Sequence, residues 1–338
     1  MKSNPQSYLF TVGIPAYNAE LYLKDCLESL NRQTFSDFEI IIVNDGSTDK
    51  TASICDRFAQ SNPNISVIHK KNQGVLTARN NIVESAHGQY IVFLDADDYL
   101  HQDALYECFQ IIQAAKNPDI IVFNYSITDD FSSPNSISSL APRLYDNNKF
   151  KIAKKALCLG ELNSVCAKAI KTNLLKANIK NLPKLIYSED LYLMTLLFRN
   201  AESLYYLQSP LYFYRQNDTS NTKKYNPQYL VDLEITLETL LKYGTSWNLS
   251  QYSQKGAQLQ LCYLASILIS DKNIDSTEKK LQLLNIGEAA KRLNISDNLT
   301  SLRIDLRTII NSITKGTGTI ATLILAIHLK LRKLLHRL

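Results

Sequence analysis

The stretch Tyr90-Ile91-Val92-Phe93-Leu94-Asp95-Ala96-Asp97-Asp98-Tyr99-Leu100 runs from the apolar, β-branched and aromatic text of a buried strand straight into three acids within four residues. Carboxylates are costly to remove from water, so such a cluster belongs at a solvated strand end, on a helix terminus or around a cation. The flanking sequence narrows the choice. Leu9 to Ile14, Phe38 to Asn44, Ile65 to His69, Tyr90 to Leu94 and Asp119 to Ser126 are short runs of strand character. Between them, Ala19 to Gln33, Thr48 to Gln60, Gly74 to Ala86 and Gln102 to Ala115 repeat apolar residues every three to four positions, as an amphipathic helix does. Strands that alternate with helices imply βαβ units, right-handed crossovers and a mainly parallel, Rossmann-like α/β sheet flanked by helices. Ligands of such sheets gather at the carboxyl ends of the strands, which is where Asp95 and Asp97 fall.

The rest of the chain is consistent with a folded protein. Of 338 residues 45% are hydrophobic and 20% charged, which argues against disorder. The net charge of +5 is modest, but Lys330 to Leu338 hold four Lys/Arg, one His and no acid. That points to an acidic partner for the tail and not to a protein that coats nucleic acid. The six cysteines show no C-x-x-C pair and read as reduced, mostly buried small hydrophobes. Met1 to Ser7 lack the apolar core of a signal peptide, and no run reaches the roughly twenty apolar residues that span a bilayer. A cytoplasmic location is expected. Thr128 to Tyr145 reads as a loop or irregular hairpin, Ser203 to Gln208 and Leu211 to Arg215 as strands, and the text beyond Pro227 as an all-helical region.

Further polar stretches follow the other strands: Pro15-Ala16-Tyr17-Asn18 after the first, Asp45-Gly46-Ser47-Thr48-Asp49 after the second, and Asn72-Gln73-Gly74 leading to Ala78-Arg79-Asn80 after the third. Singly these are turns, caps and solvated charges. Together, in the order "VGIPAYNAE…IIIVNDGSTDKT…NQGVLTARN…GQYIVFLDADDYL", they closely resemble the nucleotide-binding half of family 2 glycosyltransferases with the GT-A fold. The resemblance covers roughly the first hundred residues and continues more loosely to about residue 222. It implies a nucleotide-sugar-binding half at 1–100, an acceptor-binding half at 101–222 and a C-terminal helical region at 223–338.

What the family implies follows residue by residue. Its D-x-D maps onto Asp95-Ala96-Asp97, with Asp97 as the direct ligand of Mg2+ or Mn2+ and Asp95 nearer the ribose or donor sugar. Asp98 reads as a helix or turn cap beside the site. Backbone at Pro15 and Ala16, the ring of Tyr17, neighbouring Asn18 and the Asp45 carboxylate would hold the uracil of a UDP-sugar. Gly74 opens the helix that carries Arg79, and Arg79 would sit near the diphosphate or base. Ile82 stands where the family often has Gly, which suggests an altered donor-sugar wall. "NLPKLIYSEDLYLMTLLF" resembles the stretch that carries the general base: Asp190 first, Glu189 second, with Ser188 as the helix cap. Arg215, in "PLYFYRQNDTSNT", resembles an arginine that approaches the diphosphate. The Q-x-x-R-W of processive synthases is absent, so addition of a single hexosyl unit is expected, by inversion.

The acceptor expected from this resemblance is a bacterial surface glycan on a lipid carrier; a Ser or Thr of a surface protein is the alternative. Monomer and oligomer both remain compatible with the sequence. The basic apolar tail, Thr317 to Leu338, is expected to lie at the inner face of a membrane, against the reading of a core helix with a basic end. A nicotinamide dehydrogenase is disfavoured because Pro15-Ala16-Tyr17 stands where its first turn needs G-x-G-x-x-G. A binding module that has lost catalysis would lack the acids, and all of them are present.

Overall fold

The apolar runs pair side by side in the computed structural model, which describes residues 8–131, 134–180, 182–216 and 224–295. The first unit draws on Met1–Ala153, Asn163–Leu185 and Leu196–Gln216. It opens with β1 (Tyr8–Ala16), α1 (Leu23–Asn31), β2 (Phe38–Asp45), α2 (Thr51–Ser61), β3 (Ile65–Lys70), α3 (Val75–Ser85) and β4 (Gly88–Phe93). Then come β5 (Tyr99–Leu100), α4 (Ala104–Ala114), β6 (Ile120–Ser126), β7 (Pro134–Asn135), β8 (Arg143–Asp146), α5 (Asn147–Cys158), β9 (Lys168–Lys171) and α6 (Thr172–Asn178). After α7 (Glu189–Asn200), β10 (Ser203–Phe213) completes the sheet.

Among the described residues the strands form one mixed sheet in the order β3-β2-β1-β4-β9-β6-β10-β5, with β7 on β6 and β8 on β10. β3, β2, β1 and β4 are parallel neighbours, as are β6 and β10; β9 runs antiparallel between β4 and β6. Every residue of β2 is buried, and Phe10, Val12 and Ile14 of β1 are wholly buried, as expected for central strands covered on both faces. The register pairs Ala16 with Asn44 and Gly13 with Phe93, so β1, β2 and β4 end along one edge of the sheet.

Two sequence expectations change in detail. The runs Ser203 to Gln208 and Leu211 to Arg215 are one strand, broken in register between Leu207 and Tyr212 where Pro210 has no N–H to give the ladder. Ile82, expected at the donor-sugar wall, is fully buried; a Cβ on Gly13 would come within 2.5 Å of its Cγ2. It fills the space left by the bare backbone of β1 and lines the core.

The second unit draws on Lys154–Leu162, Ile186–Thr195 and Asn217–Leu338. Its helices are α8 (Pro227–Ser246), α9 (Ser250–Ser270) and α10 (Ser276–Arg292). Asn226 caps α8 by accepting from Gln228 N, and Asp275 caps α10 by accepting from Thr277 N and Glu278 N. Five of the six cysteines are buried and none is bridged. No described helix is long and apolar enough to cross a membrane. The tail from Thr317 to Leu338 lies outside the described residues.

Candidate active site

The carboxyl edge of β1, β2 and β4 is built by two loops that hold each other. Asn18, left-handed at φ 48°, donates its N–H to Ser47 Oγ at 3.0 Å, and its own Oδ1 accepts Thr48 N at 2.9 Å. Glu20 N reaches Asp49 Oδ2 at 3.0 Å, and Lys50 N returns to Glu20 Oε2 at 2.9 Å. This lacing occupies Ala19 to Tyr22, so α1 starts at Leu23, later than its apolar spacing predicts. Asn18 therefore clamps the loops together. Beside it Tyr17 is 53% exposed, which rules out a core aromatic, and Pro15 and buried Ala16 finish β1.

Asp45, only 4% exposed, ends β2. Its carboxylate accepts Gln73 N at 2.9 Å and Gly74 N at 2.8 Å and pairs with Lys70. It thus fixes the loop that feeds α3. Gly46 makes that approach possible: at φ 74°, a Cβ there would sit 2.6 Å from Asn72 N.

α3 carries Arg79 inward. Its side chain is 4% exposed, and its guanidinium lies 5.8 Å from the Phe93 ring centroid and places Nη2 3.4 Å from Asp95 Oδ1. A buried cation beside the first acid of the turn lessens the cost of gathering carboxylates there. The turn itself closes with Asp98 N on Asp95 O at 3.0 Å and buries Ala96, leaving Asp95 and Asp97 partly exposed.

Asp98 is not the cap expected from sequence. It is 2% exposed, and its Oδ2 accepts the Tyr212 hydroxyl at 2.6 Å while Oδ1 accepts Arg215 N at 2.8 Å. Burial first, and then the negative charge of Asp95, push its pKa up to about 8, against the pull of those two donors. Arg215 Nε donates to Asp97 O at 2.9 Å and its Nη2 to Asp25 Oδ2 at 3.1 Å, with the guanidinium over the rings of Tyr22, Tyr99 and Phe213. Arg215 therefore braces the acid turn through main chain. Sequence reasoning missed Tyr212; the third acid of the turn, too many for one cation, was the signal that a buried partner was needed.

Residues 11–175 match the model of glycosyl transferase family 2. This segment is a glycosyl transferase family 2 domain. The chain is 32% identical over 217 residues to EpsH of Bacillus subtilis, covering 63% of this chain and 62% of EpsH. It is 31% identical over 230 residues to the minor teichoic acid biosynthesis protein GgaB of Bacillus subtilis, covering 66% of this chain and 24% of GgaB. The chain thus spans about three fifths of the one relative and a quarter of the other. Its fold is that of S. aureus TarS residues 1–349, solved in complex with UDP-GlcNAc: TM-score 0.63 at 20% identity, covering 91% of this chain and 92% of that one.

Within the family 2 domain the first unit brings together Pro15, Ala16, Tyr17, Asn18, Asp45, Gly74, Arg79, Asp95, Ala96 and Asp97, and Arg215 joins them from the end of β10. Glu189 and Asp190 open α7 and belong to the second unit. Ser188, expected as their cap, has φ 53° and points its hydroxyl at Thr236 Oγ1, 3.0 Å away.

The donor set suits a hard cation. Asp95 and Asp97 offer hard carboxylate oxygens two residues apart on one turn. Among the described residues no group of three or more His, Cys, Asp or Glu could hold a metal by itself. The set therefore fits an ion that takes the rest of its shell from phosphate oxygens and water.

Proposed function

We propose that this protein is an inverting, metal-dependent glycosyltransferase that moves one hexosyl unit from a UDP-sugar to a hydroxyl of a bacterial surface glycan. The observation that carries the reading is the acid turn of Asp95 to Asp98 on the same sheet edge as Tyr17 and Asp45, inside a family 2 domain. The GgaB name supports a cell-wall glycan as product, and the UDP-GlcNAc complex of TarS supports a uridine donor. A lipid-linked acceptor and work at the inner face of the membrane complete the proposal.

In this mechanism Tyr17 packs on the uracil and the Asp45 carboxyl group, held in place by Lys70, accepts a hydrogen bond from the imide N–H. Asp97, with Asp95, would hold Mg2+ or Mn2+, which when bound supplies Lewis-acid neutralisation of the departing diphosphate. Asp190 takes the proton of the acceptor hydroxyl as its oxygen attacks the anomeric carbon in line, with Glu189 as the second choice. The new C–O bond forms as the bond to the diphosphate breaks on the opposite face, so configuration inverts and UDP leaves. A hydroxyl is a poor nucleophile at neutral pH, so the base has to be held within hydrogen-bond reach.

Thermal stabilisation by UDP, GDP and CDP, each with Mn2+ or EDTA, tests the donor reading. UDP is expected to raise Tm most and to lose most of that effect in EDTA. A larger shift with GDP would transfer the proposal to guanosine donors.

A further inference from the structure

The loop that leads to Glu189 and Asp190 is held by one face of α8. Asp232 is 1% exposed, and a carboxylate buried that deeply needs strong partners. Its Oδ2 accepts Ile186 N at 2.8 Å and Tyr187 N at 3.0 Å, and its Oδ1 accepts Gln228 Nε2 at 2.7 Å. One turn earlier on the helix, the Tyr229 ring stacks on Tyr187 with centroids 4.8 Å apart and planes at 10°. One turn later, Thr236 Oγ1 meets Ser188 Oγ at 3.0 Å. Positions 229, 232 and 236 share a helix face, so three consecutive loop residues, 186 to 188, are gripped by one rigid element.

Ser188 is left-handed at φ 53°, a conformation that strains a serine and persists only where the surroundings over-determine it. Its carbonyl accepts Tyr192 N at 3.1 Å, so its backbone sets where α7 begins and hence where Glu189 and Asp190 stand. Hydrogen bonds to a carboxylate are stronger than those to a neutral acceptor and hold geometry more tightly. Both α7 and α8 lie beyond the matched residues 11–175.

We infer that Asp232, with Tyr229 and Thr236, is a positioning residue for the catalytic base, so that α8 is part of the active-site machinery and not only a helical appendage. This rests on Asp190 or Glu189 being the base. Loss of the Asp232 carboxylate lets the 186–188 backbone relax and displaces the base while leaving the donor-binding residues of the first unit in place. The expected outcome is therefore a lower kcat at unchanged KM for donor.

The test compares Asp232→Ala, Asp232→Asn and Thr236→Val with wild type, Asp190→Asn and Glu189→Gln in UDP release from UDP-GlcNAc and UDP-glucose, with water as acceptor. Thermal shift by UDP and amide exchange of Ile186 and Tyr187 are read on the same samples. Asp232→Ala is expected to lose about a hundredfold in kcat, the scale of a base displaced by about 1 Å, with KM and the UDP-induced shift kept and both amides exchanging faster. Asp232→Asn, which keeps an acceptor oxygen for the two amides while the Gln228 amide turns over, is expected to recover most of the activity. Thr236→Val, the milder variant, covers the case in which Asp232→Ala does not fold, and is expected to lower kcat alone.

The positioning role is overturned if Asp190→Asn is inactive but Asp232→Ala and Thr236→Val both match wild type, or if their losses fall on KM. If wild type turns over neither sugar nucleotide, or neither Asp190→Asn nor Glu189→Gln lowers turnover, it is the glycosyltransferase or base reading that fails, and the positioning role falls with it.

Discussion

The hydroxyl of Tyr212 donates to Oδ2 of Asp98 at 2.6 Å and lies 3.3 Å from the backbone N of Asp95, so one phenol at the end of the last strand spans the acid turn. Both partners are buried. Tyr212→Phe is expected to cost about 1–3 kcal/mol, because a buried carboxyl oxygen loses its hydrogen-bond partner. Urea denaturation checks the stability, and a weaker UDP-induced Tm shift with Mn2+ would show the turn loosening.

Gly46→Ala is expected to be more disruptive than its size suggests. The new methyl meets backbone at Asn72, which cannot swing aside as a side chain could, and the left-handed φ adds strain. A loss of about 1–3 kcal/mol is expected, with weaker UDP binding because Asp45 and the Gln73-Gly74 amides move together. Equilibrium unfolding and calorimetric titration with UDP measure the two effects.

Tyr17 offers the opposite pattern. Its ring is 53% exposed, so Tyr17→Ala is expected to change stability by less than about 0.5 kcal/mol. If the ring packs on uracil, UDP affinity falls by about 1–3 kcal/mol, the worth of one base-aromatic stack. Equal affinities for the two proteins would remove Tyr17 from the base site.

Asp119 tests the acid limb of stability. Burial raises its pKa, but the Glu202 and Ser203 amides and Lys171 together outweigh burial and hold it below 3.8. A depressed folded pKa adds stability above the unfolded value, and that contribution is lost as pH falls through the folded one. Asp119→Asn is expected to unfold about 1–2 kcal/mol more easily at pH 7, with the gap to wild type closing below about pH 4. A gap that stays constant with pH would assign the effect to packing.

The alternation of β1 to β4 with α1 to α3 was legible because β1, β2 and β4 are largely buried and rich in apolar residues, while the half-exposed β3 still carries β-branched residues between turn signals. β5, β7, β8 and β9 were not: each is two to four residues long, and its pairing is settled by distant partners. The site shows the same division. Asp45, Arg79, Asp95 and Asp97 stand out as polar residues at apolar strand ends or on the helix that follows them. The partners of Asp98 and Asp232, more than a hundred and about forty residues away in sequence, follow only from the fold. Asp232 did leave a trace, an acid set among the buried Tyr229, Leu230, Leu233 and Leu237 of α8.

UDP release from a panel of UDP-sugars by the purified protein with Mn2+, beside Asp97→Ala and Asp190→Asn, tests the central claim most directly. The account predicts turnover of at least one donor, lost in EDTA and in Asp97→Ala, and lowered in Asp190→Asn by about a hundredfold or more, as for removal of a general base. Turnover untouched by EDTA and by both substitutions would contradict it.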